Sequence, residues 1–290
     1  MSNLINKLKY FLQFIVISFL LLIFKILGLK ISRQISTKIL SFFGPIFKSR
    51  IITKMNIDQV FPNEKEIIKK QIIKDMWASY GKIFAEYNFI KNFRELKHKG
   101  EIEVEGQNIL EEIKNSDKPV IFISGHFDNF ELMAMHIERS GIDLAAVYRP
   151  LNNFFLNPLM ENIRKKYICK KQVKKGISGT KDLLKYFKLG TSLALMIDQR
   201  VSEGIKIKFF GREALTTTIP AQFVRKFNCK VVPIHIIRKK DDNFKLKILS
   251  PLFFSKNDNI ETITLSLNSV LEKMIVTNPG QWIWTHNRWK

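Results

Sequence analysis

The amino-acid sequence predicts an α/β protein with a mixed, mainly parallel sheet flanked by helices, preceded by an N-terminal membrane-anchoring helix. Three observations carry this expectation. From about residue 116, short apolar runs ("PVIFIS", "DLAAVY", "SLALMI", "CKVVPIHII", "FKLKIL") alternate with stretches of helical periodicity, the pattern of a layered α/β sheet. Polar clusters follow the first three runs ("GHFDNFE", "RPLNN", "DQR"), at the strand exits where open α/β sheets gather their sites. Residues 10–24, "YFLQFIVISFLLLIF", are interrupted only by Gln13 and Ser18.

The N-terminal run comes first. A spanning helix needs roughly 20 apolar residues, a length reached here if Lys25 snorkels and "ILGL" extends the run to residue 29. No small-x-small cleavage site follows, because "KILGLKISRQ" is bulky and basic. Residues 1–30 therefore read as a retained anchor rather than a signal peptide. Cations on both flanks leave its orientation open.

Residues 31–115 read as a helical, membrane-proximal segment continuous with the sheet region at 116–290. Lys30, Arg33, Lys38, Lys48, Arg50 and Lys54 are interspersed with "ILSFFGPIF", a mixture suited to an anionic interface. Residues 56–98 carry apolar side chains at three and four spacing, with Asn63 as a cap. Within the sheet region helices are expected near 129–140, 155–168, 178–189, 218–227 and 260–277.

Composition narrows the function. The chain has 290 residues, and 46% hydrophobic content is enough for a core rather than a disordered chain. Its 48 basic against 26 acidic residues give a net charge of +22, which favours an anionic partner: nucleic acid, a phosphate-bearing lipid surface or an acidic protein. The heavy use of Lys, Ile, Asn and Phe is also the bias of an AT-rich genome, so part of the excess is compositional. No nucleic-acid module interleaves cations with aromatics, so nucleic acid is not expected. Cys169 and Cys229 lack metal-ligand spacing and HExxH is absent, so no metal is expected either.

The stretch "SGHFDNFEL", residues 124–132, supports two readings. Asp128 followed by Glu131 fits a helix capping box. Equally, His126 at a strand exit and Glu131 in the first helical turn can meet, fixing the imidazole tautomer for proton abstraction. Ser124 is not in a GxSxG elbow, so a nucleophile would belong to the substrate.

"GHFDNFE" resembles the HxxxxE motif of the bacterial lipid A biosynthesis (late, lauroyl- and myristoyl-type) acyltransferases. "NIDQVFPN" at 56–63, "VYRPLNN" at 147–153, "MIDQR" at 196–200, "TTTIPAQF" at 216–223 and "PGQWIWTHNRWK" at 279–290 resemble further elements of that family in order. One departure stands out: Asp128 occupies a position where many relatives have a small residue, and it is read here as a cap.

The resemblance implies a glycerolipid-acyltransferase-like fold at the cytoplasmic face of a bacterial inner membrane. It implies acyl transfer from an acidic acyl carrier protein to a hydroxyl of a phosphorylated lipid A precursor, without a cofactor. A different glycolipid or aminolipid acceptor is the alternative. The implied catalytic residues are His126 as base, Glu131 as its orienting partner, Arg164 at the oxyanion and Asp198 positioning Arg164 or His126. Arg149, Asn152 and Gln199 are implied on the substrate side. The run "RKKYICKKQVKK", 164–175, reads as a lysine-rich helix, either solvated or facing anionic headgroups or the carrier protein. Phe42, Phe43, Phe47, Phe154 and Phe155 are candidates for contact with acyl chains or for plain packing, and the C-terminal tryptophans for closing the fold.

Overall fold

The computed structural model describes residues 2–47, 50–96, 101–116, 118–255 and 257–290, apart from the side chains of residues 2, 3 and 47. Lys48, the side chain of Phe47 and the end of the expected 56–98 helix lie outside the described residues.

Helix α1 (Ser2–Phe47) is two helices joined at Gly28, whose φ of 76° suits a residue without Cβ. The first of them, apolar on every side, leaves Leu8, Val16, Phe19 and Ile26 exposed. It is long and apolar enough to cross a bilayer. Its contacts are few and specific. The Asn88 side-chain amide donates to Leu21 O at 2.7 Å and that of Asn153 to Tyr10 O at 2.8 Å. Phe155 packs on Phe11 and Phe14, and Phe154 on Tyr10. Those two phenylalanines thus hold the N-terminal helix. Beyond Gly28 the chain lies along α3 (Glu66–Glu86), close enough that a Cβ on Gly81 would meet Ser36 O at 2.6 Å.

The periodic stretch expected as one helix is several: α2 (Arg50–Val60), α3 and the short α4 (Ile90–Arg94). Asn63 does not cap α3. That helix begins two residues after Glu64, with Lys65 at the cap position and no side-chain cap.

Strands β1 (Ile102–Glu105), β2 (Ile121–Ser124), β3 (Leu144–Tyr148), β4 (Lys171–Lys174) and β5 (Ser192–Met196) precede a hairpin, β6 (Ile205–Phe209) and β7 (Arg212–Thr216). Strands β8 (Val231–Arg238) and β9 (Phe244–Ile248) follow. Seven of them form one sheet in the order β1-β9-β8-β2-β5-β3-β4. Every neighbouring pair is parallel except β8 with β9. Helices α5 (Gln107–Asn115), α6 (Glu131–Arg139), α7 (Asn157–Ile163), α8 (Ile177–Lys188), α9 (Ile219–Phe227) and α10 (Ile260–Thr277) connect and flank these strands.

Central β2, "IFIS", is buried at every residue, as a parallel strand covered on both faces must be. The edges read differently. β1 alternates half-buried with exposed residues, and β4 keeps only Val173 buried among its cations. The sheet thus starts before residue 116, inside the segment expected to be helical. The run 164–175 is not one helix: Arg164–Ile168 is a π-helical turn, Cys169 is extended, and β4 follows. Lysines on an edge strand imitate a solvated helix in sequence because neither buries more than a stripe.

Candidate active site

The loop between β2 and α6 places His126 beyond the carboxyl end of the central strand. Close packing shapes it. A Cβ on Gly125 would lie 2.9 Å from the Phe127 ring and 3.2 Å from Asp198 Cβ, so the residue before the histidine has room for hydrogen only.

Asp198 follows β5, the neighbour of β2, and turns back beneath the loop. Its Oδ1 is 2.8 Å from His126 Nδ1, and its Oδ2 accepts from the His126 backbone N–H and from Trp282 Nε1, both at 2.9 Å. Burial alone pushes this carboxyl up, but the imidazole's charge and these donors override it and hold Asp198 down at about 2. An ionised acceptor requires a proton on Nδ1, so the neutral ring presents Nε2 as a lone pair. Burial lowers the proton affinity of His126, yet Asp198 more than compensates and its pKa is raised above 6.5.

The expected direct contact between His126 and Glu131 is absent. Glu131 Oε1 instead accepts from Arg164 Nε at 2.8 Å, from Arg164 Nη2 at 2.6 Å and from the Tyr87 hydroxyl. Three donors converge on one oxygen, so Glu131 is committed to the arginine, and only its charge reaches the imidazole. Arg164 is the first residue of the π turn, where the widened helix aims it inward over the Tyr148 ring, 5.7 Å from its centroid.

Asp128 is not a cap. No side chain caps α6, which begins after Phe130. Asp128 has a φ of 35°, a left-handed conformation that Asp tolerates better than most residues. The fork of Arg238 grips it, with Nε to Oδ2 at 3.0 Å and Nη2 to Oδ1 at 2.5 Å. The same guanidinium binds Glu86 at 2.6 and 2.9 Å, and Arg33 of α1 reaches Glu86 Oε1 at 2.6 Å. All four charges are buried. A chain of ion pairs therefore runs from the N-terminal helix to the histidine loop.

His126 opens into a cavity of about 350 Å³ lined also by Phe130, Glu131, Arg164, Arg149 and Gln199. Ala134, Ala146, Ala194, Leu195 and Ile197 make its apolar wall. Asn152 does not line it but accepts from Arg149 Nη2 at 3.2 Å. Sequence reasoning missed Tyr148, Lys175, Thr217 and Trp282. Each lies inside a stretch quoted above, 147–153, 164–175, 216–223 and 279–290 respectively, without having been given a role at the site. Arg149, Arg164 and Lys175 line the cavity and Glu131 is already bonded to Arg164, so the cavity favours an anionic ligand. Ser124 donates to Ile234 O at 2.6 Å and is buried, so it offers no nucleophile. Burial pushes both thiols up to about 12.

A mainly parallel sheet thus carries a carboxylate-held imidazole at its strand exits, a group able to accept a proton, in a chain with an apolar N-terminal helix. The family model for bacterial lipid A biosynthesis acyltransferases matches residues 1–290. The chain belongs to that family and is an acyltransferase. A lipid A biosynthesis acyltransferase of Haemophilus influenzae is 25% identical over 82% of this chain and 76% of its own length. The lipid A biosynthesis lauroyltransferase of Escherichia coli is 24% identical over 82% and 78%. Among solved structures, the 1-acyl-sn-glycerophosphate acyltransferase PlsC of Thermotoga maritima covers 88% of this chain and 100% of its own, at 15% identity and a TM-score of 0.39.

Proposed function

We propose that this acyltransferase moves a fatty acyl chain from an acyl carrier protein thioester to a hydroxyl of a phosphorylated lipid A precursor, with His126 as general base. The observation that carries this reading is the His126–Asp198 pair, which leaves Nε2 free at a cavity rimmed by cations. Nε2 takes the hydroxyl proton as the oxygen attacks the thioester carbon. The imidazolium then returns the proton as the thiolate leaves, so protons and electrons balance. Arg164, fixed by Glu131, faces the developing oxyanion, and Arg149 faces the acceptor's phosphate. Gln199 contacts the substrate from the cavity wall, and Asn152 holds Arg149.

The acceptor arrives laterally. The segment after β3 carries Arg149 at the cavity, Leu151 on the surface and a half-exposed Phe154 that packs on Tyr10 of α1. Such a loop belongs in the same apolar layer as the helix. On this reading the catalytic part works at the inner face of the membrane, where an acidic, soluble carrier protein would complement the chain's net charge of +22.

The test is mass spectrometry of lipid A from cells lacking the protein, expected to show loss of one secondary acyl chain. Unchanged lipid A with a missing glycolipid or aminolipid elsewhere would move the acceptor assignment. In vitro, an acyl carrier protein thioester should be used in preference to the coenzyme A thioester.

The base must be neutral to act, and its pKa is raised. The acid limb of kcat/KM is therefore expected above pH 6.5, with activity falling as pH drops through it. Asp198→Asn should move that limb to lower pH. Arg164→Lys, which loses the fork, should lower kcat more than it raises KM, by about 10- to 150-fold for the loss of about 1.5–3 kcal/mol of charge-assisted bonding.

A further inference from the structure

A second cavity, of about 320 Å³, lies between the end of α1, α2 and α3, away from His126. Its base is apolar: Pro45, Ile57, Ile73 and Trp77, with Ile57 and Trp77 buried. Its rim carries Arg50, Lys54, Lys69 and Lys70 against Asp58 and Glu66. Two of the cations are already engaged. Lys69 Nζ is 2.8 Å from Asp58, and Lys54 is 3.1 Å from Asp58 and 3.2 Å from Glu66. Arg50 and Lys70 form no ion pair among the described residues, and both are exposed. On the same three helices Phe42, Ile46, Ile51, Met55 and Ile67 stand 59–72% exposed. An apolar collar of that size on a water-facing surface would be costly, whereas at a headgroup layer it is what anchors the surface.

We infer that this cavity is a lipid site separate from the catalytic one, and that it takes an anionic glycerophospholipid of the surrounding bilayer. The phosphate sits between Arg50 and Lys70, and an acyl chain lies against Ile57, Ile73 and Trp77. A cavity of this volume falls at the low end of small-ligand sites, which fits part of a lipid rather than a whole one. The inference rests on the membrane placement proposed above.

Trp77 provides the readout. The full chain is reconstituted in phosphatidylcholine vesicles, and its fluorescence is quenched with phospholipids brominated on the acyl chain. The Trp77 component is isolated by difference from Trp77→Phe. Brominated phosphatidylglycerol is expected to reach half-quenching at about 30-fold lower mole fraction than brominated phosphatidylcholine, the ratio for two cations near a membrane surface. Arg50→Glu with Lys70→Glu, both on the surface, should abolish that preference while the protein still floats with the vesicles. Equal quenching by the two lipids overturns the inference, as does a preference that survives charge reversal. Relief of quenching by an unbrominated phosphorylated glucosamine lipid, but not by unbrominated phosphatidylglycerol, would assign the cavity to the acceptor and overturn it too. Failure of the protein to float refutes the membrane placement instead, so the two failures are distinct.

Discussion

His126→Ala is expected to slow acyl transfer by about 100- to 10,000-fold, the usual contribution of a general base. Fold and membrane association should persist, because His126 adds little packing beyond the edge of Phe130 and Asp198 keeps Trp282 and the backbone N–H of residue 126. The informative comparison is between the two carboxylates. Asp198→Asn preserves shape but removes the charge that fixes Nδ1–H, so it should lose activity on the same scale and shift the acid limb. Glu131→Gln should lower activity through Arg164 and move the acid limb less. Single-turnover rates across pH decide this. A larger shift in the Glu131 variant than in the Asp198 variant would contradict the geometry.

Arg238→Met is expected to destabilise the protein by about 3–5 kcal/mol, because it strands the buried Asp128 and takes two of the four hydrogen bonds from the buried Glu86. For a chain of this size that is a fall in Tm on the order of 10 °C, readable by thermal unfolding in detergent. Burial alone would raise the Glu86 pKa, but Arg238 and Arg33 hold it lowered. Glu86 therefore contributes stability that is present above the unfolded carboxylate pKa and is lost as pH falls through its depressed folded value. Removing Arg238 weakens that contribution, leaving Arg33 and Asn129 to oppose the burial. Arg33→Met should cost less, since Glu86 keeps both bonds from Arg238 and one from Asn129, 2.8 Å away.

Much of this architecture is legible in the sequence for a physical reason. β2, β3, β5 and β8 are buried, so their apolar runs are unbroken, and α10 spans the residues expected of it. β1, β4 and the β6–β7 hairpin are short or solvated, and strands such as "KQVK" carry no apolar signature to detect. The site was half visible. His126, Glu131, Arg164 and Asp198 do converge, but the pairing among them depends on which strand lies beside β2, and local spacing does not encode sheet order. Glu131 looked like the partner because it is five residues away. Asp198 is the partner because β5 is adjacent to β2. The Asp128–Arg238 pair was hidden for the same reason, since β8 flanks β2 on the other side.

The two clasps on the N-terminal helix, at Tyr10 and at Leu21, sit eleven residues apart, about 16 Å along the axis. A segment fastened at both places is no leash. With that segment in a bilayer, the enzyme is confined to a plane and meets its acceptor as one drifting body meets another in two dimensions. Turnover then follows how crowded the acceptor is within the surface, not how much is in the tube, and inert lipid added at a fixed amount of acceptor should slow the reaction by dilution.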